Sequence, residues 1–279
     1  MRIDAHQHFW RYSAAGYPWI DGALAPLQRD FLPNDALAEM SAAGFHASLA
    51  VQATHTPAET DWLLGLADAY PFIAGVIGWV DLQADVDRLR AELRRVAAHP
   101  KLVGIRHIVQ DEADDRFLLR PAFCRGIALL EEFDLVYDVL VRPRHLGVAA
   151  EFVERFPRQR FVLDHLAKPD IRGREIDRWA CDLRRVAKSP HVWAKLSGLV
   201  TEASWNDWTP DQIAPYLDVA FDCFGPERLI IGSDWPVCTV AAGYGRTMTL
   251  VLDYLGNRPV DERDAVTGGN ARRCWRVPT

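Results

Sequence analysis

The chain is poor in cysteine: Cys124, Cys181, Cys223, Cys238 and Cys274 are an odd set scattered over 279 residues without a C-x-x-C pair. That spacing excludes a disulfide framework and a cysteine zinc site, and leaves these residues as small hydrophobes of the interior. Long apolar runs are also missing, and none approaches the ~20 residues that a membrane span requires. No Gly-x-Gly-x-x-Gly follows the first apolar run, which argues against an open dinucleotide-binding sheet. No basic cluster with interleaved aromatics occurs, and the net charge of −6 makes nucleic acid an unsuitable partner. The opening residues Met1-Arg2-Ile3-Asp4-Ala5-His6 lack the basic end, apolar stretch and small-residue cleavage site of a secretory leader. A cytoplasmic protein with no membrane partner is the expectation.

What is present is the composition of an ordinary globular chain, 49% hydrophobic and 25% charged. Short apolar runs rich in β-branched residues recur at 2–8, 47–53, 72–80, 102–109, 135–141, 160–167, 192–198 and 228–235, several nearly continuous, as suits strands covered on both faces. Between them lie segments of helical period at 36–43, 58–70, 89–98, 121–133, 145–156, 175–188, 210–224 and 244–255. Eight strand–helix units with right-handed crossovers, in a length near the ~250 residues of a barrel, predict an α/β fold: one (β/α)8 TIM-type barrel domain over residues 1–279. Polar residues gather at the late ends of the apolar runs, where such a barrel carries its active site. Residues 11–31, with Tyr17-Pro18-Trp19, and 204–209, with Trp205 and Trp208, read as loops that would form lids or substrate walls.

The densest chemistry is Asp4-Ala5-His6-Gln7-His8 at the end of the first run. Strand residues two apart face the same way, so His6 and His8 converge either on a metal ion or on each other as a hydrogen-bonding pair. Asp164-His165 ends the sixth run and Gly232-Ser233-Asp234-Trp235-Pro236 the eighth. These add a third imidazole and a carboxylate at the same end of the barrel.

D-x-H-x-H on strand one, D-H-x-x-K-P on strand six and G-S-D-W-P on strand eight resemble the amidohydrolase superfamily, in its amidohydrolase-2 branch, and the similarity spans essentially the whole chain. Gly268-Gly269-Asn270-Ala271 also resembles the start of the branch's last helix, but reads first as a turn with a helix cap. The resemblance implies that His6, His8, His165 and Asp234 are the metal-binding set, and that Asp234 accepts a proton from attacking water. Two departures matter. Arg106-His107 stands where a binuclear member presents a bridging carboxylated lysine or glutamate, and Tyr137-Asp138 where it presents histidine. The set therefore resembles the sugar lactonase group, which includes fuconolactonases and rhamnonolactonases, some of which work without a metal. At most one ion, such as zinc, is implied, and turnover need not require it.

Opening a lactone needs a base for water, positive charge or donors at the carbonyl oxygen, and groups that recognise the ring. Asp234 is the expected base, its water partly dried by Trp235. His165, Arg106 and His107 are the expected carbonyl-polarising groups, although adjacent strand residues point to opposite faces and only a bulge or a strand end would bring both Arg106 and His107 inward. Arg106 reads alternatively as a structural partner of Asp138. Gln52, His55, Trp79, Asp81, Lys168 and Trp235 are the candidates for binding a polyhydroxylated ring, with Lys168 alternatively a solvated surface residue. Lys195 lies inside strand seven and would need a partner. The expected function is hydrolysis of a sugar-acid lactone such as L-fuconolactone or L-rhamnonolactone by a protein that is monomeric or homo-oligomeric. The competing readings are a metal-dependent decarboxylase of an aromatic or unsaturated acid, and a non-catalytic sugar-binding barrel.

Overall fold

The computed structural model describes residues 1–277. All eight predicted strands form: β1 (Ile3–Gln7), β2 (Ala47–Val51), β3 (Ile73–Gly78), β4 (Leu102–Ile108), β5 (Val136–Leu140), β6 (Phe161–Leu163), β7 (Val192–Leu196) and β8 (Leu229–Ile231). They pair in parallel and in sequence order into one eight-stranded sheet. The sheet closes where His8 N donates to Trp235 O at 2.7 Å and Asp234 N to His6 O at 2.9 Å. The result is a (β/α)8 barrel, and no helix among the described residues is long and apolar enough to cross a membrane.

The helices follow their start signals. Proline occupies the first turn of α1 (Pro33–Ala42) and α2 (Pro57–Ala69), where its missing N–H costs nothing. Then come α3 (Val86–Ala97), α4 (Pro121–Leu130), α5 (Leu146–Glu154), α6 (Asp177–Ala187), the short α7 (Leu199–Glu202), α8 (Pro210–Phe224) and α9 (Tyr244–Leu255). After α10 (Val260–Asp264), α11 (Asn270–Trp275) turns under the barrel. Its Trp275 packs with Ile3, Val136, Val162 and Ile230 in an apolar layer that fills the lower barrel. The buried charges Asp138, Asp164 and Lys195 come two or more residues later along their strands than the Val136, Val162 and Trp193 of that plug.

At the start of α2, Glu59 is buried and its carboxylate accepts from Ala53 N at 3.0 Å, Thr54 N at 2.9 Å and Thr54 Oγ1 at 3.1 Å. Burial pushes its pKa up to about 7, against the lowering effect of those hydrogen bonds and of the Arg106 charge. A carboxyl group with a raised native pKa binds more protons folded than unfolded, so its contribution to stability falls as the pH rises from about 4.5 through about 7. The melting temperature of Glu59→Gln minus that of the wild type is therefore expected to be higher at pH 8 than at pH 5. Thermal melts of both proteins at the two pH values check this, and a constant difference would refute it.

Candidate active site

The first strand is not regular. Asp4 pairs with Ser48 and Gln7 with Ala50, so β1 carries one residue more than β2 over this stretch. This bulge separates Asp4 from the two histidines that follow it. Asp4 accepts from Ser233 N at 2.8 Å, Ser233 Oγ at 2.6 Å and Gln7 Nε2 at 2.9 Å, and so braces the turn after β8. His6 and His8 instead bring their Nε2 atoms to 3.1 Å of each other. Asp234 Oδ1 lies 3.3 Å from His8 Nε2, 3.7 Å from His6 Nε2 and 3.9 Å from His165 Nε2. One carboxylate thus sits among three buried imidazoles contributed by strands one and six.

The chain accepts local strain to make this cluster. His165, Leu166, Ala167 and Lys168 have φ of 53°, 50°, 59° and 56°, a left-handed turn directly after β6, and Asp234 has φ of 59° after β8. Residues with a side chain pay about 1 kcal/mol or more for such backbone. Trp179 Nε1 holds the turn by donating to Leu166 O at 2.8 Å. Gly198 makes room for it, since a Cβ there would stand 2.7 Å from His165 Nδ1. Gly232 does the same for His6, whose Cβ would be 2.9 Å away. Strain gathered at one end of the barrel, on residues that converge, marks the place where geometry is kept for a reason other than stability.

The protonation states follow from burial. Burial lowers the pKa of His6, His8 and His165, the last to about 4 against the raising effect of the Asp234 and Asp164 charges. All three rings are neutral at pH 7. Burial raises Asp234, but the surrounding imidazoles outweigh it and hold the group below the ordinary carboxylate value. Asp234 is therefore an anion at pH 7.

Below the cluster lies a layer of fully buried charge. Lys195 Nζ is 2.5 Å from Asp138 Oδ2 and 2.9 Å from Asp164 Oδ1, and Arg106 Nη1 is 3.0 Å from Asp164 Oδ2. Burial pushes Asp164 up, yet Lys195, His6 and Arg106 together hold it well below the usual range. Lys195 thus has the partners its interior position demands, and the acid beside Arg106 is Asp164 rather than Asp138. Arg106 lines the cavity, but most of its N–H groups are taken: Nε and Nη2 bond to Gln52 Oε1, Nη2 also to Gln52 O, and Nη1 to Asp164 Oδ2, with His6 Nε2 3.2 Å from Nη1. Arg106 acts on the cavity by its charge, and Gln52 acts through Arg106.

His107 points the other way. The bulge in β4 falls upstream, between Leu102 and Gly104, so strict alternation persists at Arg106-His107. His107 Nδ1 accepts from Trp79 Nε1 at 3.2 Å, its Nε2 donates to Glu112 at 2.9 Å, and its ring stacks on His55 at 4.0 Å and Phe117 at 4.9 Å. His55 is fixed in that stack by Ile108 N, which donates to its Nε2 at 2.8 Å. His107, His55 and Trp79 therefore form a packed cluster outside the cavity. Asp81 caps the following turn through Gln83 N at 3.0 Å, and Trp235 is buried against Phe9 and Phe31. Of the expected ring-binding residues, Lys168 alone lines the cavity.

The cavity measures about 580 Å³ and has His8, His165 and Asp234 among its lining, along with Arg106. The loop after β1 supplies Trp19 and Leu24, with Trp19 Nε1 donating to Ala53 O at 3.0 Å, and the loop after α7 supplies Trp205. Both predicted walls are present. Arg142 and Glu202 also line the cavity, and sequence reasoning did not name them. Arg142 lies two residues beyond β5, where the late-end rule would have found it; Glu202, on a four-residue helix, gives no periodic signal.

The donors His6 Nε2, His8 Nε2 and Asp234 Oδ1 are 3.1 to 3.7 Å apart. This suits one small ion, since ligands at about 2.0–2.1 Å in a tetrahedron are separated by about 3.3 Å. His8 Nδ1 donates to Val51 O at 2.8 Å, which leaves its Nε2 lone pair toward Asp234. A second grouping, His6, Asp164 and His165, is also close enough. There Lys195 and Arg106 already neutralise Asp164 at 2.9 and 3.0 Å, which opposes a second cation.

Comparison with known proteins agrees with this geometry. Residues 3–277 match the amidohydrolase family, and the chain belongs to it. It is 45% identical to an L-fucono-1,5-lactonase of Burkholderia multivorans, covering 100% of this chain and 97% of that one. It is 38% identical to an L-fucono-1,5-lactonase of Burkholderia ambifaria, covering 99% and 96%. An amidohydrolase of Burkholderia multivorans crystallised with bound zinc superposes with a TM-score of 0.93 at 45% identity over 100% of both chains.

Proposed function

We propose that this protein hydrolyses the 1,5-lactone of a six-carbon deoxy sugar acid, L-fucono-1,5-lactone or a close relative, to the open aldonic acid. The observation that carries the reading is Asp234, an ionised and nearly buried carboxylate ringed by three neutral imidazoles on a cavity large enough for a lactone ring. The whole-length similarity to two L-fucono-1,5-lactonases supports the choice of substrate.

Asp234 takes a proton from water as the water oxygen attacks the lactone carbonyl carbon. The developing oxyanion lies near the Arg106 charge and the His165 ring. Ser197 Oγ, 2.8 Å from His165 Nδ1, orients that ring and, by donating to Nδ1, selects the tautomer whose Nε2–H faces the oxyanion. The bond between the carbonyl carbon and the ring oxygen breaks, the proton held on Asp234 passes to the leaving alkoxide, and the product acid releases one proton to solution. His6, His8 and Asp234, with His165 beside them, would hold a single divalent ion such as zinc, which when bound supplies Lewis-acid polarisation and a more acidic water.

A proton-release assay on aldono-1,4- and 1,5-lactones tests the reading, run before and after treatment with a chelator. Turnover of a deoxy-sugar lactone above the buffer blank supports it. Turnover of an aromatic acid with loss of carbon dioxide, and none of any lactone, would replace it with the decarboxylase reading, and saturable sugar binding without turnover would replace it with the binding barrel.

A further inference from the structure

Glu202 and Lys168 are not used in the chemistry above. Glu202 ends α7 after β7, and Lys168 ends the left-handed turn after β6, so two successive loops bring an acid and a base to one wall of the cavity. Their side chains are 22% and 19% exposed, and the 3.9 Å between Lys168 Nζ and Glu202 Oε1 is too long for a direct hydrogen bond. Among the described residues neither side chain makes a hydrogen bond to any other group, although Arg142 and Asp234 line the same cavity. Two opposite charges on one cavity wall, with hydrogen-bonding capacity that no protein group uses, are available to a polar ligand. Burial raises the pKa of Glu202 against the opposing Lys168 and Arg142 charges.

We propose that Glu202 and Lys168 form a hydroxyl-recognition dyad that binds two neighbouring hydroxyls of a polyhydroxylated ring: the carboxylate accepts from one or both O–H groups, and the ammonium donates to an oxygen of the same pair. A sugar ring offers such a vicinal pair and an unsubstituted lactone does not. The dyad therefore selects polyhydroxylated over plain lactones, a discrimination that an apolar wall alone cannot achieve. The inference rests on the lactonase reading for its substrate and on the geometry of Glu202 and Lys168 for its residues.

The test compares wild type, Glu202→Gln and Lys168→Met on L-fucono-1,5-lactone and on δ-valerolactone, and separately measures binding of 1,5-anhydro-L-fucitol, a ring with the hydroxyls but no carbonyl. Charge-assisted hydrogen bonds of this kind are worth roughly 10- to 100-fold. Each variant is expected to lose at least about 10-fold more kcat/KM on the sugar lactone than on δ-valerolactone, chiefly through KM, and to bind the anhydrofucitol correspondingly more weakly. Equal losses on both lactones, or unchanged anhydrofucitol binding, would overturn the dyad. Wild type that opens no lactone yet binds anhydrofucitol in a Glu202-dependent way would refute the lactonase reading and leave the dyad standing, whereas wild type that does neither would refute both.

Discussion

Asp234→Asn is expected to lower kcat for lactone opening by roughly 10²- to 10⁴-fold, the range general-base catalysis supplies, with KM changed far less. The substitution is chosen for its backbone. Asp234 sits at φ of 59°, and asparagine tolerates that left-handed region better than almost any other residue with a side chain. It also keeps the size and leaves the closing Asp234 N to His6 O hydrogen bond intact. Loss of activity therefore reports the loss of the carboxylate rather than of the fold, which a circular dichroism melt verifies alongside the steady-state rates. A variant keeping more than a tenth of wild-type kcat would mean that another group takes the proton.

Lys195→Met is expected to destabilise the protein by about 3–5 kcal/mol, because it leaves Asp138 and Asp164 buried beside each other with their shared cation removed. Asp138 is completely buried. Adding Asp138→Asn to Lys195→Met removes one of the stranded charges and is expected to restore much of the loss. Urea unfolding of the three proteins measures this. A single variant as stable as wild type would show that the buried layer is neutral rather than ionic. Lys195 Nζ also lies 3.0 Å from His6 Nδ1, so the single variant is expected to lose activity as well.

The strands were legible because a parallel barrel buries both faces of every strand and so writes continuous apolar runs into the chain. The helix bounds Pro210–Phe224 and Tyr244–Leu255 could be read to the residue, since proline or glycine punctuates both helices. Strands six and eight proved shorter than their apolar runs: the chain leaves the sheet at Asp164 and Gly232 for left-handed or tight turns that periodicity does not encode. The convergence of His6, His8, His165 and Asp234 was legible from spacing and strand ends. Their places at strand ends make His107 read as a carbonyl-polarising group and His55 and Trp79 as ring-binding residues, but side-chain parity after the β4 bulge turns His107 outward, and its stacking partners follow it. The Gln52 and Asp164 partners of Arg106 and the approach of Glu202 to Lys168 depend on contacts between segments far apart in the chain, and no local pattern announces those.

The most direct test of lactone hydrolysis at Asp234 is to supply L-fucono-1,5-lactone in ¹⁸O-labelled water and follow both the rate and the position of the label in the product. Water attack at the carbonyl predicts turnover above the uncatalysed blank, with one ¹⁸O per turnover in the carboxylate and none in the hydroxyl released from the ring. Turnover no faster than the blank, or label in that hydroxyl, would contradict the account.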